Sequence, residues 1–420
     1  MDIYIKALLY AIPIFGILIL LEIVVASRKK IQINHAADMI SSLSSGITNT
    51  TRDGIQFSFI LISYSWLVDC ISIIQLDKLW LSIIIAFISQ DFAGYWLHRL
   101  SHRVNFMWNR HVIHHSSEEF NLSCALRQSI SDNIRFSAIL LIPAAVLGIP
   151  SHIFAIIGPV HLFLQFWYHT RLIDKMGILE NFLVTPSHHR VHHAINRKYL
   201  DKNYGQIFII WDKIFGTFQS EEKNNLPIYG ILRPANTWNP VSINFKHILQ
   251  LAKDAYQTQR NWDKIRIWFM PTGWRPNDVI EDAPINTIED SILLKKYFTN
   301  NSKLLLSWSY CQLTTALIYM FYIFFKIPLL TTIMEILLAG LLFLHIISYT
   351  TLLDGKKVSI LFELLKISLG IILFIIINNI INFASNFVSN FILTYLLISF
   401  IMTIYFINTE VKYNKVKIIK

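Results

Sequence analysis

Nine of the 15 histidines in this 420-residue chain lie in two short segments, 98–115 and 188–193. Apart from His188, they form three boxes: His98-x3-His102, His111-x2-His114-His115 and His189-x2-His192-His193. Side chains three or four residues apart share one helical face, so each box can direct two or three imidazoles to one point. Neutral imidazole is a common metal ligand. The spacing therefore predicts a metal centre.

The number of histidines indicates two metal ions, because a single zinc site uses only three or four protein ligands. Imidazole suits iron, copper, zinc and nickel. The boxes contain no cysteine, which argues against an iron–sulfur cluster. His161, Gln165 and His169 share another helical face, and we expect His169 to be the ninth ligand and His161 a polar contact. His188, beside the third box, is a possible further ligand.

Three other interpretations fit histidine-rich segments less well. Haem ligation would need a lone histidine inside each of two facing helices, whereas these boxes lie just beyond predicted helix ends. A transporter places its ionisable residues near the bilayer midplane, where the C-terminal segments offer little beyond Glu335 and His345. Histidines that only line a membrane boundary would not require three ordered boxes.

Two carboxylates could orient the ligands. Asp91 lies in an apolar stretch, where a charge is costly and usually functional, and it shares a helical face with His98 and His102. We expect it to accept a hydrogen bond from a ligand imidazole and so fix its tautomer; pairing with an arginine explains it equally well. Glu118, just after the second box, is a candidate for the same role.

The composition predicts an all-α, multi-pass membrane protein that presents these boxes. Hydrophobic residues make up 54% of the chain and charged residues 15%, and the mean hydropathy is +0.45. A bilayer-spanning helix needs about 20 apolar residues. The segments that reach this length are 7–27, 55–76, 79–97, 304–326, 328–350, 358–382 and 386–408, with a membrane hairpin near 136–168 broken at Gly148-Ile149-Pro150.

The basic residues predict the orientation. The net charge is +10, and the Lys and Arg residues flank apolar segments, as in proteins that keep positive loops in the cytoplasm; we expect no nucleic-acid partner. Arg28, Lys356 and the tail Lys412–Lys420 all fall on the cytoplasmic side, together with the boxes. We expect a bacterial inner membrane or the endoplasmic reticulum as the location.

The distribution of apolar and polar segments divides the chain into four parts. We expect N-terminal transmembrane helices in 1–97, a histidine-box catalytic core in 98–220, a polar cytoplasmic region in 221–302 and C-terminal transmembrane helices in 303–420.

The residues around the boxes resemble the fatty acid hydroxylase and sterol desaturase superfamily. The resemblance is dense from about 90 to 220 and is strongest to the family of alkylglycerol monooxygenases. It rests on Tyr95-Trp96-Leu97-His98-Arg99, His114-His115-Ser116-Ser117-Glu118, Gln165-Phe166-Trp167-Tyr168-His169-Thr170, Thr185-Pro186-Ser187-His188-His189 and Trp211-Asp212-Lys213-Ile214-Phe215-Gly216.

This resemblance implies a di-iron monooxygenase that uses oxygen and tetrahydrobiopterin to cleave ether lipids to a fatty aldehyde and glycerol. A reductase that regenerates the pterin is an implied partner. The family has an acidic residue where this chain has Arg171, which leaves pterin use open. The alternative is a sterol or fatty acyl hydroxylase or desaturase with the same metal centre and a protein electron donor.

Overall fold

The computed structural model describes residues 3–76, 78–132, 134–381 and 386–411, and these are mostly helical. The first eight helices are α1 Ile3–Arg28, α2 Ala36–Gly54, α3 Tyr64–Ile71, α4 Leu79–Arg103, α5 Asn105–Trp108, α6 Val112–His115, α7 Ile142–Val146 and α8 Ser151–Phe163. The remainder are α9 Pro186–His192, α10 Ile210–Ile214, α11 Pro240–Gln257, α12 Asn261–Arg266, α13 Asn277–Asp282, α14 Lys303–Lys326, α15 Thr332–Leu353, α16 Ser359–Ile381 and α17 Asn386–Phe406. Two short strands, β1 Phe59–Ile60 and β2 Ile134–Arg135, pair in parallel.

Six described helical segments are long and apolar enough to cross a bilayer, which confirms the all-α, multi-pass prediction. They are Ala7–Arg28, Leu79–Arg103, Lys303–Leu329, Thr332–Leu353, Ser359–Ile376 and Leu393–Val411. The lysines of 412–420, which we assigned to the cytoplasm, lie outside the described residues.

The predicted span at 55–76 is wrong. That segment contains β1 and the eight-residue helix α3, separated by irregular chain. Its apolar residues are largely exposed, Ile73 by 81% and Phe59 by 78%. Apolar composition alone therefore misidentified a broken surface segment as one helix.

A long helix that hydropathy does not detect, α2, precedes that segment. His35, just before α2, packs against Phe298, five residues before α14, with ring centroids 5.7 Å apart. An added Cβ at the last residue of α2, Gly54, would meet the ring of Phe324 near the end of α14. α2 therefore runs alongside α14 in the same direction. Its buried residues include many with hydroxyl groups, among them Ser41, Ser44, Ser45, Thr48 and Thr51. Protein surrounds this helix, so it needs no lipid-facing apolar surface.

The apolar run 136–168 breaks where the sequence indicates. α7 ends at Val146 and α8 begins at Ser151, and Gly148 between them has φ +65. An added Cβ there would lie 2.0 Å from the carbonyl oxygen of Ile74, so glycine permits both the turn and the close approach. The two helices are too short to cross a bilayer separately.

The C-terminal helices bury a second set of polar side chains, which we name the C-terminal polar cluster: Gln312, His345, Ser348, Glu363, Lys366, Tyr395 and Ser399. The Lys366 amine lies 2.6 Å from a Glu363 carboxylate oxygen and donates to the Ser399 hydroxyl at 2.7 Å. The Gln312 side-chain amide also donates to Ser399, at 3.1 Å. These contacts join α14, α16 and α17 inside the apolar bundle.

Several long helices meet the histidine-bearing segments at one end of the bundle. Near the end of α1, the Ile33 carbonyl accepts from the Asn121 side chain at 2.8 Å. Beyond α15, the Asp354 carboxylate accepts from the Trp238 amide at 2.6 Å and from the Tyr297 hydroxyl at 3.2 Å. The backbone amide of Tyr297 donates in turn to Glu118 at 2.6 Å.

Candidate metal centre

Five histidines form the first of two groups, His98, His102, His111, His115 and His192, and could hold one metal ion. His98 and His102 come from the last two turns of α4, His111 and His115 flank α6, and His192 ends α9. The Nε2 atom of His111 lies 2.9 Å from that of His98 and 3.1 Å from that of His115. The Nε2 atoms of His115 and His192 are 3.1 Å apart.

Four buried histidines form the second group, His114, His169, His189 and His193. The Nε2 atom of His169 lies 2.8 Å from that of His189 and 3.3 Å from that of His114. The Nε2 atoms of His189 and His193 are 3.0 Å apart. The two groups are adjacent, because the rings of His115 and His193 stack with their centroids 4.3 Å apart.

Backbone carbonyls fix the tautomer of four of these rings. The Nδ1 atom of His98 lies 2.8 Å from the Tyr204 carbonyl, and that of His192 lies 2.9 Å from the Lys202 carbonyl. In the second group, the Nδ1 atoms of His114 and His169 face the carbonyls of Arg127 and Gln165. A carbonyl only accepts, so each Nδ1 carries the proton and each neutral ring keeps a lone pair on Nε2.

These Nε2 lone pairs point at one another. His114 and His169 are the plainest case, since both have Nδ1 protonated and their Nε2 atoms face each other across 3.3 Å. Two acceptors cannot form a hydrogen bond, and a shared cation between them removes the repulsion. The buried Nε2 of His102 also has no hydrogen-bond partner.

The spacing of the nitrogens fits metal coordination. With a metal–nitrogen distance of about 2.1 Å, two ligand nitrogens lie about 3.0 Å apart at 90° and about 4.2 Å apart at 180°. Within each group all potential ligand atoms lie within 4.8 Å of one another. The two groups therefore have the donor type, count and spacing of two neighbouring metal sites.

Burial keeps these imidazoles neutral. It lowers the pKa of His114 to about 3 and that of His188 to about 4. Burial, followed by the neighbouring histidines, lowers the pKa of His115 and of His193 well below the ordinary value. Neutral imidazole is the form that binds metal.

Asp91 does not contact the ligand set as we expected. Its carboxylate lies 2.9 Å from Nε2 of His161 and accepts from the backbone amides of Ile207 and Phe208 and from the Trp211 indole. A shared helical face fixes the direction of the side chain but not which distant segment meets it. Asp91 instead connects α4 to α8 and α10.

Glu118 and His188 also lie beside the two groups and not within them. The Glu118 carboxylate accepts from the Tyr297 amide, and burial raises the pKa of this residue to about 7. The Nδ1 atom of His188 lies 3.2 Å from the Leu183 carbonyl, and its ring packs against Phe218.

Sequence reasoning assigned no role to Asp212, which holds the loop behind the first group. The Asp212 carboxylate accepts from the amides of Tyr204 and Gly205 at 2.8 and 2.7 Å and from the Thr217 hydroxyl at 2.6 Å. Asp212 thus holds Tyr204 in place, and the backbone carbonyl of Tyr204 faces Nδ1 of His98. The sequence shows only a carboxylate close to a glycine and an aromatic residue. That pattern does not identify the hydrogen-bond partners of the carboxylate.

Arg127 has the corresponding place behind the second group. Its buried guanidinium donates to the Asp38 carboxylate at 2.8 Å and to the hydroxyls of Ser42 and Ser116. These bonds hold the backbone carbonyl that faces Nδ1 of His114. The polar surface of α2 therefore supports the histidines as well as the fold.

The side chain of Arg171 pairs with a neighbouring glutamate. Its guanidinium donates to a Glu119 oxygen at 3.3 Å and to the Gln32 carbonyl at 2.9 Å. The Lys296 amine donates to the other Glu119 oxygen at 2.7 Å. Glu119 is therefore shared by two basic side chains.

Residues 83–217 match the fatty acid hydroxylase family, and this segment contains every histidine of the two groups. The chain is 40% identical to human alkylglycerol monooxygenase over 269 residues, 63% of this chain and 59% of the human protein. Its identity to the zebrafish (Danio rerio) alkylglycerol monooxygenase is 39% over 272 residues, 63% of this chain and 59% of that protein. An ornithine lipid hydroxylase from Rhizobium tropici is 30% identical over 149 residues, 36% of this chain and 45% of that protein.

No solved structure matches the chain. The chain spans about three-fifths of the length of the alkylglycerol monooxygenases that it matches. The match to the fatty acid hydroxylase family therefore covers residues 83–217, and the similarity to alkylglycerol monooxygenases extends over 63% of the chain.

Proposed function

We propose that this chain is an integral-membrane di-iron monooxygenase that cleaves the ether bond of alkylglycerols, releasing a fatty aldehyde and glycerol. The two groups of histidines, with Nε2 lone pairs directed at one another, are the observation that carries the proposal. The similarity to alkylglycerol monooxygenases supports the choice of substrate.

We assign one iron to His98, His102, His111, His115 and His192, and the other to His114, His169, His189 and His193. When bound, the irons supply oxygen activation, and the lipid is hydroxylated at the carbon beside its ether oxygen. Asp91 and Glu118 remain outside the ligand set in this assignment, as does His188.

The chain's own residues orient the ligand rings and exclude water. Backbone carbonyls hold protons on Nδ1 of His98, His114, His169 and His192, so the rings present Nε2 without rearrangement. Such outer contacts fix ring orientation and raise ligand basicity. The second group is fully buried, and Phe120 covers it by packing against the rings of His169 and His193.

The remaining parts of the proposal rest on the sequence. The basic residues at the ends of the spans favour a cytoplasmic histidine face, and we retain 98–220 as the catalytic core, 221–302 as a polar region and 303–420 as C-terminal membrane helices. Tetrahydrobiopterin enters as electron donor through the resemblance alone, and we assign no residue to bind it. A reductase would regenerate it.

The test is aldehyde release from 1-O-alkylglycerol by membranes that contain the protein, with and without tetrahydrobiopterin. We expect aldehyde only when both oxygen and the pterin are present. Membranes that contain the His114→Ala variant provide the blank. The contrary result is protein that holds about two irons per chain, the number that two neighbouring ligand groups require, but releases no aldehyde under any condition. That result would contradict the proposed substrate, whereas the proposed metal centre would stand.

The similarity to an ornithine lipid hydroxylase keeps a second function in view. In that case the same centre hydroxylates another lipid, such as a sterol or a fatty acyl lipid, and a protein donates the electrons. Lipid extracts supplied with a protein donor instead of pterin would then yield hydroxylated lipid and no aldehyde.

A further inference from the structure

The polar region 221–302 exposes a patch of large apolar side chains, which we name the α12 patch: Leu249, Tyr256, Trp262, Ile265 and Phe269. Tyr256 is 88% exposed and Phe269 is 68% exposed. Trp262, Ile265 and Phe269 are spaced i, i+3 and i+7, so they share one face of α12 and the turn that follows it. Exposed apolar surface of this kind marks a contact with a protein or a membrane.

The patch is attached to the end of a candidate membrane-spanning helix. Just beyond α4, the Asn105 amide donates to the Met270 carbonyl, and the Phe106 amide donates to the Trp268 carbonyl, each at 2.9 Å. The Thr272 amide donates to the carbonyl of Arg103, the last residue of α4. The rings of Phe106 and Phe269 meet edge to face, with centroids 5.8 Å apart. α12 therefore lies level with the point where α4 ends.

The charges around the patch suit a membrane surface. Lys253, Arg260 and Lys264 are exposed on the same stretch, while the acidic Asp263 is buried and accepts from Arg266 at 2.6 Å. Helices that lie in a bilayer interface combine Trp, Phe and Leu on one face with Lys and Arg on the other. Trp and Tyr are also enriched where spanning helices leave the bilayer.

We infer that the α12 patch is inserted into the headgroup and acyl boundary of the bilayer, beside the end of α4. The occupant of this surface is membrane lipid, because the apolar face of α12 is accompanied by the exposed basic residues Lys253, Arg260 and Lys264. It also lies beside the end of a candidate membrane-spanning helix, to which the chain after α12 is hydrogen-bonded. Region 221–302 then rests against the membrane, with lipid held next to the helix that carries His98 and His102. This inference does not depend on the metal or on the reaction.

The experiment places one fluorophore on the patch in the full chain. Cys70 and Cys311 are exposed and Cys124 is buried, so Cys70→Ser and Cys311→Ser leave a background in which Phe269→Cys is labelled selectively. The protein is assembled in nanodiscs of phosphatidylcholine and phosphatidylglycerol, either plain or brominated on the acyl chains. Lys223→Cys, on an exposed polar loop, is the matched control.

We expect bromolipid to quench the label at 269 several-fold more strongly than the label at 223, and aqueous iodide to show the reverse order. Because both substitutions replace exposed side chains, neither should prevent folding, and a single symmetric size-exclusion peak for each labelled protein checks this. Equal quenching at the two positions, with iodide reaching 269 freely, would overturn the inference and leave a protein partner as the occupant of the patch.

Discussion

The histidine groups and the C-terminal polar cluster both bury ionisable side chains, but their internal pairing differs. In the C-terminal polar cluster unlike groups meet, as when the Lys366 amine lies between Glu363 and Ser399. In the histidine groups like atoms meet, as when two unprotonated Nε2 atoms face each other at 3.3 Å. Burial of polar groups therefore does not by itself identify a site. A cluster in which several hydrogen-bond acceptors face one another indicates a site for a cation.

The largest expected effect compares a histidine from each region. His114→Ala should abolish aldehyde release and remove bound iron, because the second group has only four histidines. His345 is equally buried, but its Nε2 lies 2.9 Å from the Gln312 carbonyl, so His345→Ala should retain iron and activity. Iron and activity are measured on membrane-inserted protein. Iron loss in His345→Ala would remove the distinction between the two regions.

The next effect is on stability and belongs to the C-terminal polar cluster. Glu363→Gln leaves the Lys366 charge without its partner in an apolar bundle, which typically costs about 3–5 kcal/mol. Combining it with Lys366→Met removes the unpaired charge and should restore most of the thermal stability. Iron per folded chain should be unchanged in both variants. A stable Glu363→Gln single variant would show that this pair is not needed.

The smallest effect concerns the supports of the metal centre. Asp212→Asn weakens the hold on the Tyr204 loop, and changes of this kind typically lower metal affinity about 10- to 100-fold. The matched control is Asp254→Asn, another buried carboxylate, which pairs with Arg275 at 2.6 Å away from the histidines. Chelator competition should detect weaker iron binding in the first variant alone. Equal affinities would mean that the Tyr204 loop needs no such support.

The groups of histidines were predictable because their spacing is local. Boxes with intervals of three and four residues fix which side chains converge, and the face shared with Gln165 drew attention to His169. The groups that orient these imidazole rings were not predictable in this way. The ring protons of His98 and His192 meet backbone carbonyls of Tyr204 and Lys202, and a carbonyl has no signature in the sequence.

Hydropathy predicted the lipid-facing helices well and the interior ones poorly. It located α4 and the C-terminal helices because their outer surfaces are apolar. It missed α2, whose surface is covered by protein, and it selected 55–76, where apolar residues are exposed on a short helix and irregular chain. Helical spacing relates Asp91 to His98 and His102, but it could not predict the contact of Asp91 with His161, which depends on packing between residues 70 apart in the chain.

The polar character of α2 also constrains the order in which the chain can be assembled. A helix that carries Asp38, Arg52 and a row of hydroxyls is unfavourable in lipid by itself. Two of the helices that cover it, α14 and α15, are synthesised after the histidine-bearing segments. We therefore expect a nascent chain that stops before α14 to leave α2 only partly covered, with its polar surface paired by residues 116–132 alone.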